Sequence, residues 1–78
     1  MKIYWYNESK NIIGKNLKKI RLERNLTQSD IAAKLQLSGY EFDRITILRI
    51  EKGTRFVPDY EVKMLCEALE IPYSELLD

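Results

Sequence analysis

Residues 27–53 read TQSDIAAKLQLSGYEFDRITILRIEKG, and the helix starts and stops inside this stretch decide the fold. Thr27-Gln28-Ser29-Asp30 is a start signal: the Thr27 hydroxyl can accept a backbone N–H, and Asp30 complements the positive end of a helix dipole. A helix therefore begins near Gln28, buries Ile31, Ala32, Leu35 and Leu37, and stops at Gly39. Ala32 is small enough to let another helix approach closely. Asp43 is the next good N-cap, Ile47 and Ile50 follow three apart on one face, and Gly53 ends this second helix after Lys52. Its opposite face carries Arg44, Ile45, Leu48 and Arg49, a mixture of cationic and apolar groups that a purely solvated helix has little reason to show. Two short helices joined by a turn, the second with a basic outward face, have the shape that fits a DNA major groove.

Working outward, Ile13, Leu17, Ile20 and Leu22 keep helical spacing over Lys10 to Arg24, with Lys15, Lys18 and Lys19 largely elsewhere. Asn25 can take the left-handed conformation that closes this helix. Downstream, Pro58-Asp59 opens a helix whose Val62, Leu65, Cys66 and Leu69 keep their spacing until Pro72. The final Tyr73-Ser74-Glu75-Leu76-Leu77 carries more apolar surface than a frayed tail needs and predicts a short fifth helix. There is no repeat, low-complexity stretch or Pro/Gly-rich linker, and alternation of apolar and polar residues is confined to Ile3 to Tyr6. The expected fold is all-α: five helices in a compact helix-turn-helix domain over residues 10–78, preceded by an aromatic arm over residues 1–9.

A chain of 78 residues suits one domain and leaves no room for a separate catalytic or sensing module. Hydrophobic residues at 45% and charged residues at 32% suit a soluble globule rather than a disordered tail. Domains of this size are marginal, so burial between two copies is plausible on size alone. No apolar run approaches the roughly 20 residues of a membrane span, and the expected location is cytoplasmic. A single cysteine and no histidine rule out a disulfide framework and a Cys/His zinc site, and Cys66 reads as a small core residue. No cofactor or metal is expected. The net charge of +1 conceals asymmetry: residues 1–40 hold eight Lys/Arg against three Asp/Glu, and residues 41–78 hold five against nine.

Three stretches, LKKIRLERNLTQSDIAAKL from Leu17, ITILRIEKGTR from Ile45 and LCEALEIPYSELL from Leu65, resemble successive signatures of the helix-turn-helix family of lambdoid phage repressors and their bacterial relatives. The similarity runs from Ile13 to Leu77. It implies a five-helix fold that binds a partly palindromic operator as a symmetric homodimer. By position it places Gln28 at the start of helix two, Ala32 at the helix crossing, Ile47 and Ile50 in the core and Asp43 at the cap of helix three. It implies that Arg44, Ile45 and Arg49 read bases, and that Arg21 and Glu51 form an internal ion pair between helices one and three. The stretch between Leu35 and Asp43 is about five residues longer than the family's usual tight turn. In that extension Phe42 is expected to plug the core, and Tyr40 either covers the plug or touches a phosphate.

The chemistry of these side chains suits duplex DNA. Arg44 and Arg49 can each pair bidentately with guanine O6 and N7, and Ile45 can meet a thymine methyl. Leu48 is a fourth candidate, or it packs on the inserted turn. Phosphate contacts fall to Thr27 and Gln28, whose helix N-terminus favours anions, and to Lys52, Thr54 and Arg55. Thr27 can cap and contact phosphate at once. The dimer interface is assigned to Tyr73, Leu76 and Leu77. Ile3-Tyr4-Trp5-Tyr6 is the alternative, since so many aromatics need cover from the domain itself or from a second copy.

Two rival classes follow from the same residues. An enzyme needs a convergent acid, base or nucleophile that this histidine-free chain does not offer, so no catalysis is expected. A protein-interaction module, such as an antitoxin or accessory regulator working through the acidic C-terminal face, is the stronger rival. Regulation of transcription, with repression by occupying a promoter as its simplest form, is the expected function.

Overall fold

Asp43 sets where the recognition segment begins. Its Oδ1 accepts from both the backbone N–H and the hydroxyl of Thr46, each at 2.8 Å, which satisfies a donor that a helix start leaves unpaired. The computed structural model describes residues 9–78, so the aromatic arm read at Ile3 to Tyr6 lies outside the described residues. Five helices follow in order: α1 (Gly14–Glu23), α2 (Gln28–Leu37), α3 (Arg44–Lys52), α4 (Asp59–Leu69) and α5 (Tyr73–Leu77). The fold is all-α, with an extended turn between α2 and α3.

The start of α2 is a reciprocal cap. Thr27 Oγ1 accepts from the Asp30 N–H at 3.0 Å, and Asp30 Oδ2 accepts from the Thr27 N–H at 2.8 Å. These donors favour the ionised carboxylate: the Thr27 backbone N–H holds Asp30 below the usual carboxylate range, and the Thr46 backbone N–H does the same for Asp43.

Four helices close on the same turn. Asn25, Gly39, Gly53 and Glu70 are left-handed, and the N–H of each following residue reaches back to a carbonyl five positions earlier. The bonds are Leu26 to Arg21, Tyr40 to Leu35, Thr54 to Arg49 and Ile71 to Cys66, at 2.9–3.0 Å. At three of these turns the returning residue enters the core: Ile71 is buried, and Leu26 and Tyr40 are half-buried against it. Glu70 is neither glycine nor asparagine, so its conformation costs about 1–2 kcal/mol. Burial of Ile71 contributes roughly 1.5–3 kcal/mol and offsets it. The fourth turn differs, because Thr54 after α3 is exposed.

One core joins all five helices, built from Leu17 and Ile20 of α1, Ile31 and Leu35 of α2, Ile47 and Ile50 of α3, Leu65 and Leu69 of α4, and Leu76 of α5. Phe42 is buried with them, at the end of the extended turn. Gln36 Nε2 donates to the Phe42 carbonyl at 2.8 Å, and the Tyr40 hydroxyl donates to Glu67 Oε2 at 3.3 Å. Tyr40 therefore covers the plug and leans on α4. Burial pushes the Cys66 thiol up from its ordinary value, which leaves it a poor nucleophile.

Leu22, read above with the apolar face of the first helix, is 56% exposed, and three further sequence expectations change. The first helix begins at Gly14 rather than Lys10, because Asn11 Oδ1 accepts from the Gly14 N–H at 2.8 Å and turns the chain into the helix there. Leu37 is 89% exposed; about 100° per residue puts it opposite Ile31 and Leu35. Leu76, assigned above to a dimer interface, is 0% exposed. It is a core residue, and its side chain has no surface to offer a second copy.

Candidate nucleic-acid interface

The outward face of α3 is continuous. At about 100° per residue, Arg44, Leu48, Lys52, Ile45 and Arg49 occupy an arc of roughly 140°. Arg44, Ile45, Arg49 and Lys52 are exposed and Leu48 is half-buried, while Ile47 and Ile50 on the far side are fully buried. Burial of the inner face fixes the rotation of the helix, and the two arginines project from a surface that cannot turn away.

Polar ties hold the rest of the helix. Arg21 and Glu51 meet in a fork: Nε donates to Oε2 at 2.7 Å and Nη2 to Oε1 at 3.0 Å. The Arg21 side chain is 11% exposed and that of Glu51 3%, and the Glu51 carboxylate raises the Arg21 pKa. Arg21 Nη1 also donates to the Leu26 carbonyl at 3.0 Å, and Gln28 Nε2 donates to Glu51 Oε1 at 3.1 Å. One carboxylate thus joins α1, the first residue of α2 and the last turn of α3. Desolvation consumes most of the attraction in so buried a pair, and its main effect is to fix orientation.

A second tie closes the C-terminal end of α3. Asn11 Nδ2 donates to the carbonyls of Ile50 at 3.1 Å and Arg55 at 2.9 Å, while its Oδ1 starts α1. The Lys10 N–H donates to the Gly53 carbonyl at 2.8 Å. Nothing in the apolar periodicity marks Asn11, whose importance depends on contacts some forty residues away. Arg24, whose Nη1 donates to the Leu69 carbonyl at 2.7 Å, and Asn16, which donates to the Leu76 carbonyl at 2.9 Å, escape a pattern reading for the same reason.

The phosphate candidates divide into two groups and an outlier. Thr27 is exposed and Gln28 half-buried at the start of α2; Lys52 and Thr54 are exposed at the end of α3. Arg55 stands apart. Its guanidinium makes a two-pronged ion pair with Glu61 and lies 5.6 Å from the centre of the Phe42 ring. That carboxylate raises its pKa, so the charge is engaged within the chain and fastens the segment after α3 to α4.

On α4 and α5, Tyr73 and Leu77 line an open groove with Asp59, Tyr60, Val62 and Lys63. Tyr60, Tyr73 and Leu77 are between 41% and 60% exposed. Among the described residues no His/Cys/Asp/Glu group is placed to hold a metal ion, and no helix is long and apolar enough to cross a membrane.

A structure with two short capped helices, the second presenting a cationic face, is the arrangement of helix-turn-helix proteins that bind DNA. The family model described as "Helix-turn-helix domain" matches residues 14–78, from the first residue of α1 through the end of α5. The chain belongs to that family, and DNA is the partner its domain supports. Comparison with curated proteins and with solved structures found no match.

Proposed function

We propose that this protein is a sequence-specific reader of duplex DNA that regulates transcription, a repressor in the simplest case, in the manner of the lambdoid phage repressors it resembles. The observation that carries the reading is the outward arc of α3, where Arg44, Ile45 and Arg49 are exposed on a helix whose rotation is fixed by Ile47, Ile50 and Glu51. Arg44 and Arg49 read guanines and Ile45 a thymine methyl. Thr27 and Gln28 on one side and Lys52 and Thr54 on the other take phosphates and set the register. Two copies meet through Tyr73 and Leu77 and bind half-sites about one helical turn apart.

The test is a salt-titrated binding assay on mixed-sequence duplex DNA, comparing the wild type with the Arg44→Ala, Arg49→Ala double variant. The wild type binds with an affinity that falls steeply with salt, and the double variant loses sequence preference. Binding indifferent to both substitutions sinks the assignment of α3. The exposed Tyr60, Tyr73 and Leu77 favour a second reading, in which the groove receives a different protein, as in an antitoxin or accessory regulator. Sedimentation separates the two: a dimer at tens of micromolar supports the first, and a monomer favours the second.

A further inference from the structure

The start of α2 and the last turn of α3 meet one stripe of α1, where Arg21 pairs with Glu51 and Gln28 shares that carboxylate. Gly14, Lys18 and Arg21 fall within roughly 60° of one another around that helix. Both ends of the stripe touch α3. At Gly14 the helix lies so close that a Cβ would collide with the Ile50 carbonyl oxygen, and Arg21 is paired with Glu51. Lys18 sits between them, about 6 Å along the axis from Gly14 and about 4.5 Å from Arg21.

What surrounds Lys18 is already engaged. Gly14 is buried against α3, Arg21 is committed to Glu51 and the Leu26 carbonyl, and Gln28 has given an amide hydrogen to Glu51. Lys18 is exposed and joins no ion pair among the described residues. The nearest carboxylate on α3, that of Glu51, already accepts from Arg21 and Gln28. Without an ion-pair partner among the described residues, Lys18 has a flexible stem that can carry the ammonium outward on the stripe that Gly14 and Arg21 hold against α3.

From this placement we propose that Lys18 is a phosphate contact, joining the Thr27–Gln28 and Lys52–Thr54 groups into one track along a DNA strand. The proposal rests on the DNA reading above. Lys18 adds affinity without reading sequence, since an ammonium recognises a phosphate as a point charge. Lys19 is the control: one position on, it is turned about 100° away from the stripe and is also exposed.

The experiment measures binding of the full chain to a fluorescent mixed-sequence duplex of about 30 base pairs across a salt series, for the wild type, Lys18→Gln and Lys19→Gln. Each phosphate contact contributes about 0.9 to the slope of log affinity against log salt. For each protomer bound, Lys18→Gln is expected to lower the slope by about that amount and the affinity by roughly eightfold at 0.1 M salt, alike on every sequence. Lys19→Gln should leave the slope unchanged, and unchanged thermal unfolding of both variants would exclude a folding defect. A wild-type slope in Lys18→Gln, or equal losses in the two variants, overturns the proposal while leaving the DNA reading intact. Failure of the wild type to bind any duplex overturns both.

Discussion

The turns that close α2 and α3 share one backbone and differ in everything around it. Each has a left-handed glycine, Gly39 or Gly53, and each returns an N–H to a carbonyl of the helix it ends. After Gly39 the chain drives inward, with Tyr40 covering and Phe42 filling the core. After Gly53 it stays outside, with Thr54 exposed and Arg55 engaged in a surface ion pair. The first turn is held by apolar burial and the second by hydrogen bonds from Asn11 and Lys10. Polar ties fasten the second turn without burying an apolar peg, so its solvent-facing surface stays available.

The comparison is broken most forcefully at its anchors. Phe42→Ala should cost about 3–5 kcal/mol through loss of a buried ring, and Glu51→Ala about 3 kcal/mol by leaving Arg21 buried without its partner. These values approach the whole stability of a small domain, so urea unfolding is best followed in sulfate, which strengthens burial. A loss under about 1 kcal/mol for Phe42→Ala would mean that the extended turn is not an anchor.

The glycines sharpen the contrast. An alanine Cβ at Gly39 meets nothing within 4 Å, whereas at Gly53 it would collide with Ser9 Oγ. Gly39→Ala should lose about 1 kcal/mol from backbone conformation alone. Gly53→Ala should lose about 1 kcal/mol more, because the Ser9 strap must shift. Equal losses in chemical denaturation would show that the strap yields freely.

The smallest effect belongs to the two caps. The folded-state pKa values of Asp30 and Asp43 lie below their unfolded values. Their contribution is therefore fully present above the unfolded carboxylate pKa of about 3.9 and fades as pH falls through the folded values. Replacement of both by asparagine, which can still accept at a helix start but does not titrate in acid, should flatten the stability profile below about pH 5. An unchanged profile would place the acid sensitivity elsewhere.

Much of the architecture is legible in the chain. The limits of α3 follow from Asp43 and Gly53, and the start of α2 from Thr27 and Asp30, because caps are local and their residues adjacent. Leu37 could have been excluded by helical phase alone. What is not legible depends on distance. Leu76 looked like surface until the fold brought α5 against α1 and buried it. The sequence offers Arg55 as a phosphate contact, and its pairing with Glu61 across the Pro58 turn is invisible there. Neither Asn11 nor Gln28 shows its hydrogen-bond partner in any periodic pattern.

Asn11 narrows its own chemistry. Its carboxamide uses its amide hydrogens on two carbonyls and its oxygen on one backbone N–H. Aspartate would set an acceptor against two acceptors, serine is too short, and glutamine adds a methylene where the chain is already turning. The position tolerates one functional group at one length. Its loss would free the start of α1 and the C-terminal end of α3 together.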